Sequence, residues 1–292
     1  MLHRKLSPGP LYVDLTSSAA QFLAAHPDDK TWLQRVVDTP QAIWLGHPGA
    51  ITGFRARLNE ADAEGTIVTA VLYYIPKRDD QGKESAGGAP DATAYAQYVD
   101  DVCGAIGDRR VIVVVEPDAL ADMLSEGFAH LRDLRTALLR QSCARLSALK
   151  NTDVYIDVGH SSWPNFDALK DWLDSSGILE NVTGLSMNVS NFMSTKDCLD
   201  RARTLLQLQD HDVLPVIVDC SRNGVPLPPG LGGKDSWCNP IAARLGPDPL
   251  LEVTHFHGHL WIKRPGESDG EHNGGPSPGQ FDRALCYRLC RG

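Results

Sequence analysis

The sequence predicts an α/β fold: a single-domain, distorted (β/α) barrel of about seven parallel strands, TIM-like in plan. Three observations predict it. Short β-rich runs alternate with longer segments of helical periodicity along the whole chain, and such alternation implies a parallel sheet with helices outside it. Several of the runs are continuously apolar, as expected where both faces of a strand are covered. The runs also end in polar residues, the pattern of barrel strands that emerge from the core at a catalytic rim. Periodicity does not report closure, so an open, doubly wound sheet is the rival. The GxGxxG fingerprint of that rival's commonest use is absent after the first strand.

In chain order, "QAIWLG" (41–46) is the first strand and brings Trp44 to its end. "TIVTAVLYYI" (66–75) ends at Tyr73 and runs on into "PKRD", which delivers Asp79. "RVIVVVEP" (110–117) carries five β-branched residues into Glu116, Pro117 and Asp118. Proline lacks an N–H, so Pro117 stops the ladder and turns the chain. The leucines and alanines of residues 121–149 recur at helical spacing. "VYIDVGH" (154–160) delivers Asp157 and His160, and "TGLSMNVS" (183–190) delivers Asn188 and, just beyond, Asn191. "LPVIVDCS" (214–221) brings Asp219, Arg222 and Asn223, and "HLWIKR" (259–264) brings Lys263, Glu267 and Asp269.

The chain has 292 residues, enough for one large core, and shows no repeat, low-complexity linker or appended module. Residues 1–292 are therefore read as a single domain. With a net charge of -9 and scattered basic residues, most of the surface would repel a phosphate backbone, so nucleic acid is not an expected partner. No apolar stretch approaches the ~20 residues a membrane span needs, and no signal peptide is visible at the N-terminus. Seven cysteines are too few for a disulfide scaffold, and none form CxxC. Cys103 and Cys143, in apolar helical patterns, read as small core residues.

Carboxylates at five or more strand ends point to one shared site. For Asp118 alone two readings stand side by side, because Asp is also a favoured N-cap and "ALADML" follows it. Crowded acids raise one another's pKa, so one can hold a proton while its neighbours stay charged. Glycosidic cleavage needs that division of roles. Trp44, Trp163 and Trp237 fall in strand-end loops, where aromatic rings stack on sugar faces, whereas Trp32 and Trp172 lie in helical patterns and read as packing.

The order of "YYIPKRD" with "SAGGAP", "VVVEPDAL", "YIDVGHSSW", "DCSRNG", "SWCNP" and "WIKRPGESDG", between "LYVD" and "GQFD", closely resembles glycoside hydrolase family 6. The members of that family are inverting β-1,4-glucanases, both endoglucanases and cellobiohydrolases. The resemblance implies that Asp118 is the general acid and that Asp79 is the carboxylate raising its pKa. It makes Asp269 the proposed base, with a water relay through Asp79 and the backbone near Ser85 as the alternative. Asp157 matches a supporting carboxylate, and Tyr73 the residue beneath the distorted sugar.

By the same resemblance, Trp44 and Trp237 are platforms on the non-reducing side and Trp163 is one on the leaving side. Lys263, Glu267, His160 and Asn191 contact sugar. Inversion implies a carboxyl separation of roughly 6.5 to 9.5 Å. Asp80 and Glu271 stand where many members carry cysteines, and a disulfide between Cys238 and Cys286 is the pairing the resemblance leaves.

The resemblance implies no metal or organic cofactor, a cellulose or related β-glucan substrate, a monomer and secretion. The short segment between "GESDG" and "FDRALC", and the short loop after "YYIPKRD", favour an open cleft and endo action over the tunnel of a cellobiohydrolase. Two further rivals are a β-glucan-binding protein without catalysis and a metal hydrolase built on His255, His257 and His259 of "HFHGH". Against the metal reading, that triplet falls at the start of the last strand, the stability end of a barrel.

Overall fold

A computed structural model describes residues 5–7, 9–78, 86–208, 214–225, 227, 236–251 and 257–291. Its strands are β1 (Ile43–Leu45), β2 (Val68–Leu72), β3 (Val111–Val115), β4 (Thr152–Asp157), β5 (Gly184–Met187), β6 (Val216–Asp219), β7 (Leu250–Leu251) and β8 (His257–Leu260). They form one sheet in the order β1-β2-β3-β4-β5-β6-β8-β7. Every pairing is parallel except β7 with β8. The seven expected parallel strands are thus present, and the short antiparallel β7 is the addition. Too short to show a period, it carried no sequence signal.

The helices between strands are α3 (Ala50–Glu64), α4 (Ala92–Ile106), α5 (Ala119–Met123), α6 (Arg132–Ser147), α7 (Phe166–Ser176) and α8 (Thr195–Leu208). Two helices precede β1, α1 (Ser18–Ala25) and α2 (Lys30–Asp38), and α9 (Arg283–Cys290) ends the chain. Side chains alternate between two apolar layers. Val111, Val113 and Val115 of β3 pack outward under the helices, while Ile112 and Val114 face inward with Val71, Tyr155, Ile217 and Leu260. Both layers are closed to water, so β2 and β3 are buried at every position. Burial of each Val or Ile side chain contributes about 1.5–3 kcal/mol.

The sheet curls until its first and last parallel strands meet, but among the described residues no ladder joins them. A single bridge pairs Gln41 with Trp261, with the Ala42 N–H donating to the Trp261 carbonyl at 3.0 Å. Side chains complete the seam: the Trp44 indole N–H donates to the Ile262 carbonyl at 2.9 Å, and Arg264 Nε to the Ala42 carbonyl at 2.8 Å. Among the described residues, no helix is long and apolar enough to cross a membrane.

Candidate active site

The C-terminal ends of the parallel strands open into one cleft of about 650 Å³. Trp44 comes from β1, Tyr73 and Arg78 from the chain after β2, and Asp118 from the end of β3. His160 and Trp163 follow β4, Ser190 and Asn191 follow β5, and Lys263, Glu267 and Asp269 follow β8. Trp237 lines the cleft as well. Asp79 and Ser85 lie outside the described residues.

Asp118 has φ 68° and ψ -23°, a left-handed conformation that costs a non-glycine residue about 1 kcal/mol. A neighbouring strand helps to hold it there: the Asp118 N–H donates to Asp157 Oδ1 at 3.1 Å. Asp118 occupies the N-cap position of α5, yet its side chain makes no capping hydrogen bond. Asp118 lines the cleft instead, so the capping alternative is not realised.

Asp157 does not line the cleft. It is 1% exposed, and its Oδ1 also accepts from the Gly159 N–H at 3.1 Å. Burial raises its pKa to about 7 against the two N–H donors, and the nearby charge of Asp219 adds to the rise. Asp219 is equally buried. Its carboxylate accepts from the N–H groups of Ser190, Ser221, Ile262 and Lys263 at 2.9–3.2 Å, so it ties the ends of β5, β6 and β8 together.

Glu116 departs from the expectation that it faces the cleft. Strand alternation would aim it into the barrel, but its φ of 45° breaks the alternation. The carboxylate accepts from the Tyr74 N–H at 3.0 and 3.1 Å and from the Ile75 N–H at 3.0 Å. Burial pushes its pKa to about 7 against these bonds. Its place is behind Tyr73, where it fixes the chain that presents that ring.

Trp44 meets Tyr73 edge-on, with ring centres 5.1 Å apart and planes at 86°. The Arg78 guanidinium lies 4.2 Å from the centre of the Tyr73 ring and donates to the Tyr73 carbonyl. After β4, the His160 N–H donates to the Trp163 carbonyl at 2.8 Å and the Trp163 N–H to the His160 carbonyl at 3.1 Å. Arg201 of α8 donates to the carbonyls of Ser161 and Pro164 and so holds this turn from behind.

Burial, followed by the charge of Arg201, lowers the His160 pKa to about 4. Its imidazole is therefore neutral near pH 7. Nδ1 accepts from the Ser162 N–H at 3.2 Å, which puts the ring proton on Nε2. The indole of Trp237 is 42% exposed and has His272 at its edge, 6.0 Å between ring centres.

Asp269 is gripped by cations and an amide. Its Oδ2 accepts from Arg222 at 2.7 Å and from the Asn239 N–H at 3.0 Å, and Lys263 Nζ lies 3.6 Å from Oδ1. Arg222 is only 3% exposed and donates through its other arm to the Ser190 carbonyl at 2.6 Å. Glu267 accepts from the Ser18 hydroxyl at 2.8 Å and stands 3.9 Å from Arg264, which Asp14 holds in turn at 3.1 Å. Asn191 Nδ2 donates to the Val189 carbonyl at 3.0 Å.

Sequence reasoning missed the partnership of Arg222 with Asp269 and the stacking of Arg78 on Tyr73. "SRNG" and "PKRD" displayed both arginines, but only the fold shows what each reaches. The pairing of Cys238 with Cys286 is corrected: neither is in a disulfide. The Cys286 thiol donates to the Pro265 carbonyl at 3.8 Å, while Cys238 accepts from Asn239 at 3.5 Å. Of the histidine triplet, His255 lies outside the described residues, and His257 and His259 stand on β8, ahead of the residues that line the cleft.

Residues 3–284 match the family model described as Glycosyl hydrolases family 6. Endoglucanase A of Cellulomonas fimi is 34% identical over 96% of this chain and 60% of its own length. Endoglucanase 1 of Streptomyces halstedii is also 34% identical, over 96% of this chain and 88% of its own. Among solved structures, the endoglucanase Cel6 of Mycobacterium tuberculosis, in complex with a thio-linked cellobiosyl cellobioside, superposes with a TM-score of 0.87 at 34% identity and covers 98% of both chains. The cellobiohydrolase Cel6A core of Chaetomium thermophilum, at 22% identity, shares the fold with a TM-score of 0.84 over 99% of this chain and 98% of its own. The chain thus spans less than two thirds of the Cellulomonas relative. With a parallel barrel, an acid at the end of β3 and aromatic rings along one cleft, and with a family match running nearly end to end, this chain belongs to glycosyl hydrolase family 6.

Proposed function

We propose that the protein is an endo-β-1,4-glucanase that cleaves internal bonds of cellulose or a related β-glucan with inversion at the anomeric carbon. One observation carries this reading: Asp118, freed from capping, lines a cleft with Tyr73 and Trp44 from neighbouring strands and with His160 and Trp163 from the β4 loop. Apolar ring faces suit the flat faces of glucose, and a carboxyl among them suits protonation of the departing oxygen.

Asp118 acts as the general acid, with Asp79 as the neighbouring carboxylate named by the family resemblance. Tyr73 lies beneath the sugar at the cleavage point, its ring steadied by Arg78. Neutral His160 offers its Nε2 proton to a sugar hydroxyl, while Lys263, Glu267 and Asn191 hydrogen-bond others. Asp269 is already engaged by Arg222, Asn239 and Lys263, which occupy its oxygens and fix its orientation at the cleft. That favours a role in orienting the attacking water, with the proton leaving through a relay.

Endo action is supported by the short chain between Gly270 and Phe281. It is tied back on itself: the Ser268 N–H donates to the Gln280 carbonyl and the Gly279 N–H to the Ser268 carbonyl, both at 2.9 Å. A segment held down in this way favours an open groove over a roofed tunnel. The relatives at 34% identity are endoglucanases, whereas an Agaricus bisporus exoglucanase matches at 25%. Secretion follows from a polymeric substrate that does not enter cells.

The experiment is hydrolysis of carboxymethyl cellulose with viscosity and reducing ends measured together, and NMR of the first anomer released from cellopentaose. A rapid fall in viscosity per bond cut and an initial α-anomer are expected. An initial β-anomer would sink inversion, cellobiose released without viscosity loss would favour the cellobiohydrolase reading, and binding without reducing ends would favour the non-catalytic one.

A further inference from the structure

One buried cation joins two of the segments that carry the cleft. Arg135 stands in the first turn of α6, is not among the residues that line the cleft and is 1% exposed. Its guanidinium reaches beyond its own helix. Nη1 donates to the Ala119 carbonyl at 3.0 Å, and Nη2 donates to the Lys77 carbonyl at 2.9 Å. Ala119 directly follows Asp118, and Lys77 lies four residues beyond Tyr73 on the chain that runs on to Asp79. A single rigid, planar group thus spans the chain ends after β3 and β2.

The segment after β2 is fixed independently of this arginine. The Glu116 carboxylate accepts from the Tyr74 and Ile75 N–H groups, the Ala89 N–H donates to the Tyr74 carbonyl at 2.8 Å, and Arg78 and Gly87 exchange backbone bonds at 3.1 Å. The turn after β3 carries the left-handed Asp118, a conformation that surrounding structure must hold in place. Asp157 holds its N–H. On the other side, the Asp118 carbonyl accepts from the Asp122 N–H at 2.7 Å, and the buried Asp122 carboxylate lies 3.6 Å from Arg135 Nη1. Arg135 therefore meets the first turn of α5 twice, at the Ala119 carbonyl and at Asp122.

We propose that Arg135 is a positioning residue for proton donation by Asp118: it uses the Lys77 segment as an anchor, fixes the Ala119 carbonyl from it and so sets the pose of the acid in the cleft. This rests on the reading of Asp118 as the general acid. Replacing a buried ion pair by apolar side chains is often neutral for stability, so what the pair secures in this place is geometry. A misplacement of about 1 Å at a reacting group costs about 10²-fold in rate.

The leaving group separates this role from a merely structural one. When a glucosyl unit departs, the glycosidic C–O bond breaks, its electron pair goes to the oxygen and that oxygen takes the proton of Asp118. A 2,4-dinitrophenolate departs with the same electron pair as a stable anion and needs no proton. Tyr73 and the sugar above it serve both reactions, and Glu116 holds that part of the cleft without Arg135. Displacing the acid alone therefore slows the first reaction and spares the second.

The experiment compares kcat and KM on cellotetraose and on 2,4-dinitrophenyl β-cellobioside, with folding checked by circular dichroism and melting temperature. The variants are Arg135→Met, Arg135→Lys and Arg135→Met combined with Asp122→Asn, which leaves no buried charge unpaired; Asp118→Asn is the reference. In Arg135→Met, kcat on cellotetraose should fall about 10²-fold with KM nearly constant, while the dinitrophenyl substrate keeps most of its rate. Arg135→Lys, which retains the charge and can reach a carbonyl, should recover part of the loss. If Arg135→Met does not fold, the other two variants carry the same test. An equal fall on both substrates, a change confined to KM, or wild-type rates on both would overturn the positioning role. If Asp118→Asn itself slows both substrates alike or neither, the reading of Asp118 as the acid fails; if it separates them and the Arg135 variants do not, only the role of Arg135 falls.

Discussion

The backbone N–H of Asp118 donates to Asp157 Oδ1 at 3.1 Å, so the residue that follows β3 takes its orientation from a carboxyl that ends β4. A side chain sealed from solvent thus sets the pose of one that lines the cleft.

Asp118→Asn keeps the shape and removes the titratable proton. Hydrolysis of unactivated β-glucan should fall at least ~10²-fold, the contribution typical of a general acid, while cellotetraose binding by calorimetry changes little. Wild-type activity in this variant would remove Asp118 from the mechanism.

Asp157→Ala takes away the acceptor shared by the Asp118 and Gly159 N–H groups. The expected result is a fall in kcat with KM nearly constant, and partial recovery in Asp157→Asn, which retains an acceptor oxygen. Stability supplies a second readout. The folded pKa of Asp157 is raised to about 7, above that of an unfolded aspartate near ~3.9. The folded chain therefore binds more protons between those values, and the stability from this group is present at low pH and lost as pH rises through that window. Melting temperatures from pH 4 to 7 should show less of this loss in Asp157→Asn.

Arg222→Met leaves Asp269 without its 2.7 Å partner in a nearly closed site. Breaking a buried pair in this way costs about 3–5 kcal/mol. Because Asn239 and Lys263 remain, the lower end is expected in urea denaturation. Adding Asp269→Asn to Arg222→Met should restore part of the stability but none of the activity, a coupling that a double-mutant cycle would measure.

His160 has the opposite sign. Its folded pKa, lowered to about 4, lies below the unfolded value near ~6.5, so the unfolded chain binds more protons in that interval and stability from this site falls as pH drops through it. The KM for cello-oligosaccharides should consequently stay flat from pH 5 to 8, and Arg201→Met, which removes the flanking cation, should introduce a pH dependence at the acidic end.

Gly88→Ala tests the return of the chain after Asp79. A Cβ there would lie 1.9 Å from the Ile75 carbonyl oxygen, and φ is 94°, so both space and conformation exclude a side chain. A loss of about 1–3 kcal/mol is expected from strain of this kind, with activity reduced beyond the loss of folded protein because Ala89 N–H also bonds the Tyr74 carbonyl at 2.8 Å.

The parallel strands were legible because each is a short apolar run with a sharp polar end, and those ends do converge. Asp118, His160, Lys263 and Asp269 line one cleft. Orientation at the strand ends was not legible. Glu116 and Asp118 are two residues apart and both have positive φ, yet the Glu116 carboxylate turns behind Tyr73 while Asp118 lines the cleft. Strand period says nothing once the backbone leaves the extended region. Pairings between distant segments were equally hidden, since Arg222 and Asp269 are joined only by the way β6 and β8 lie side by side.

Trp44 belongs at once to the seam of the barrel and to the site. Its indole N–H fastens the first strand to the chain after the last, while its ring lines the wall of the cleft. The wall of the cleft and closure of the scaffold are thus vested in one side chain. Exchanging it for phenylalanine to reshape the cleft would also unfasten a stitch, so this part of the wall cannot be evolved or engineered independently.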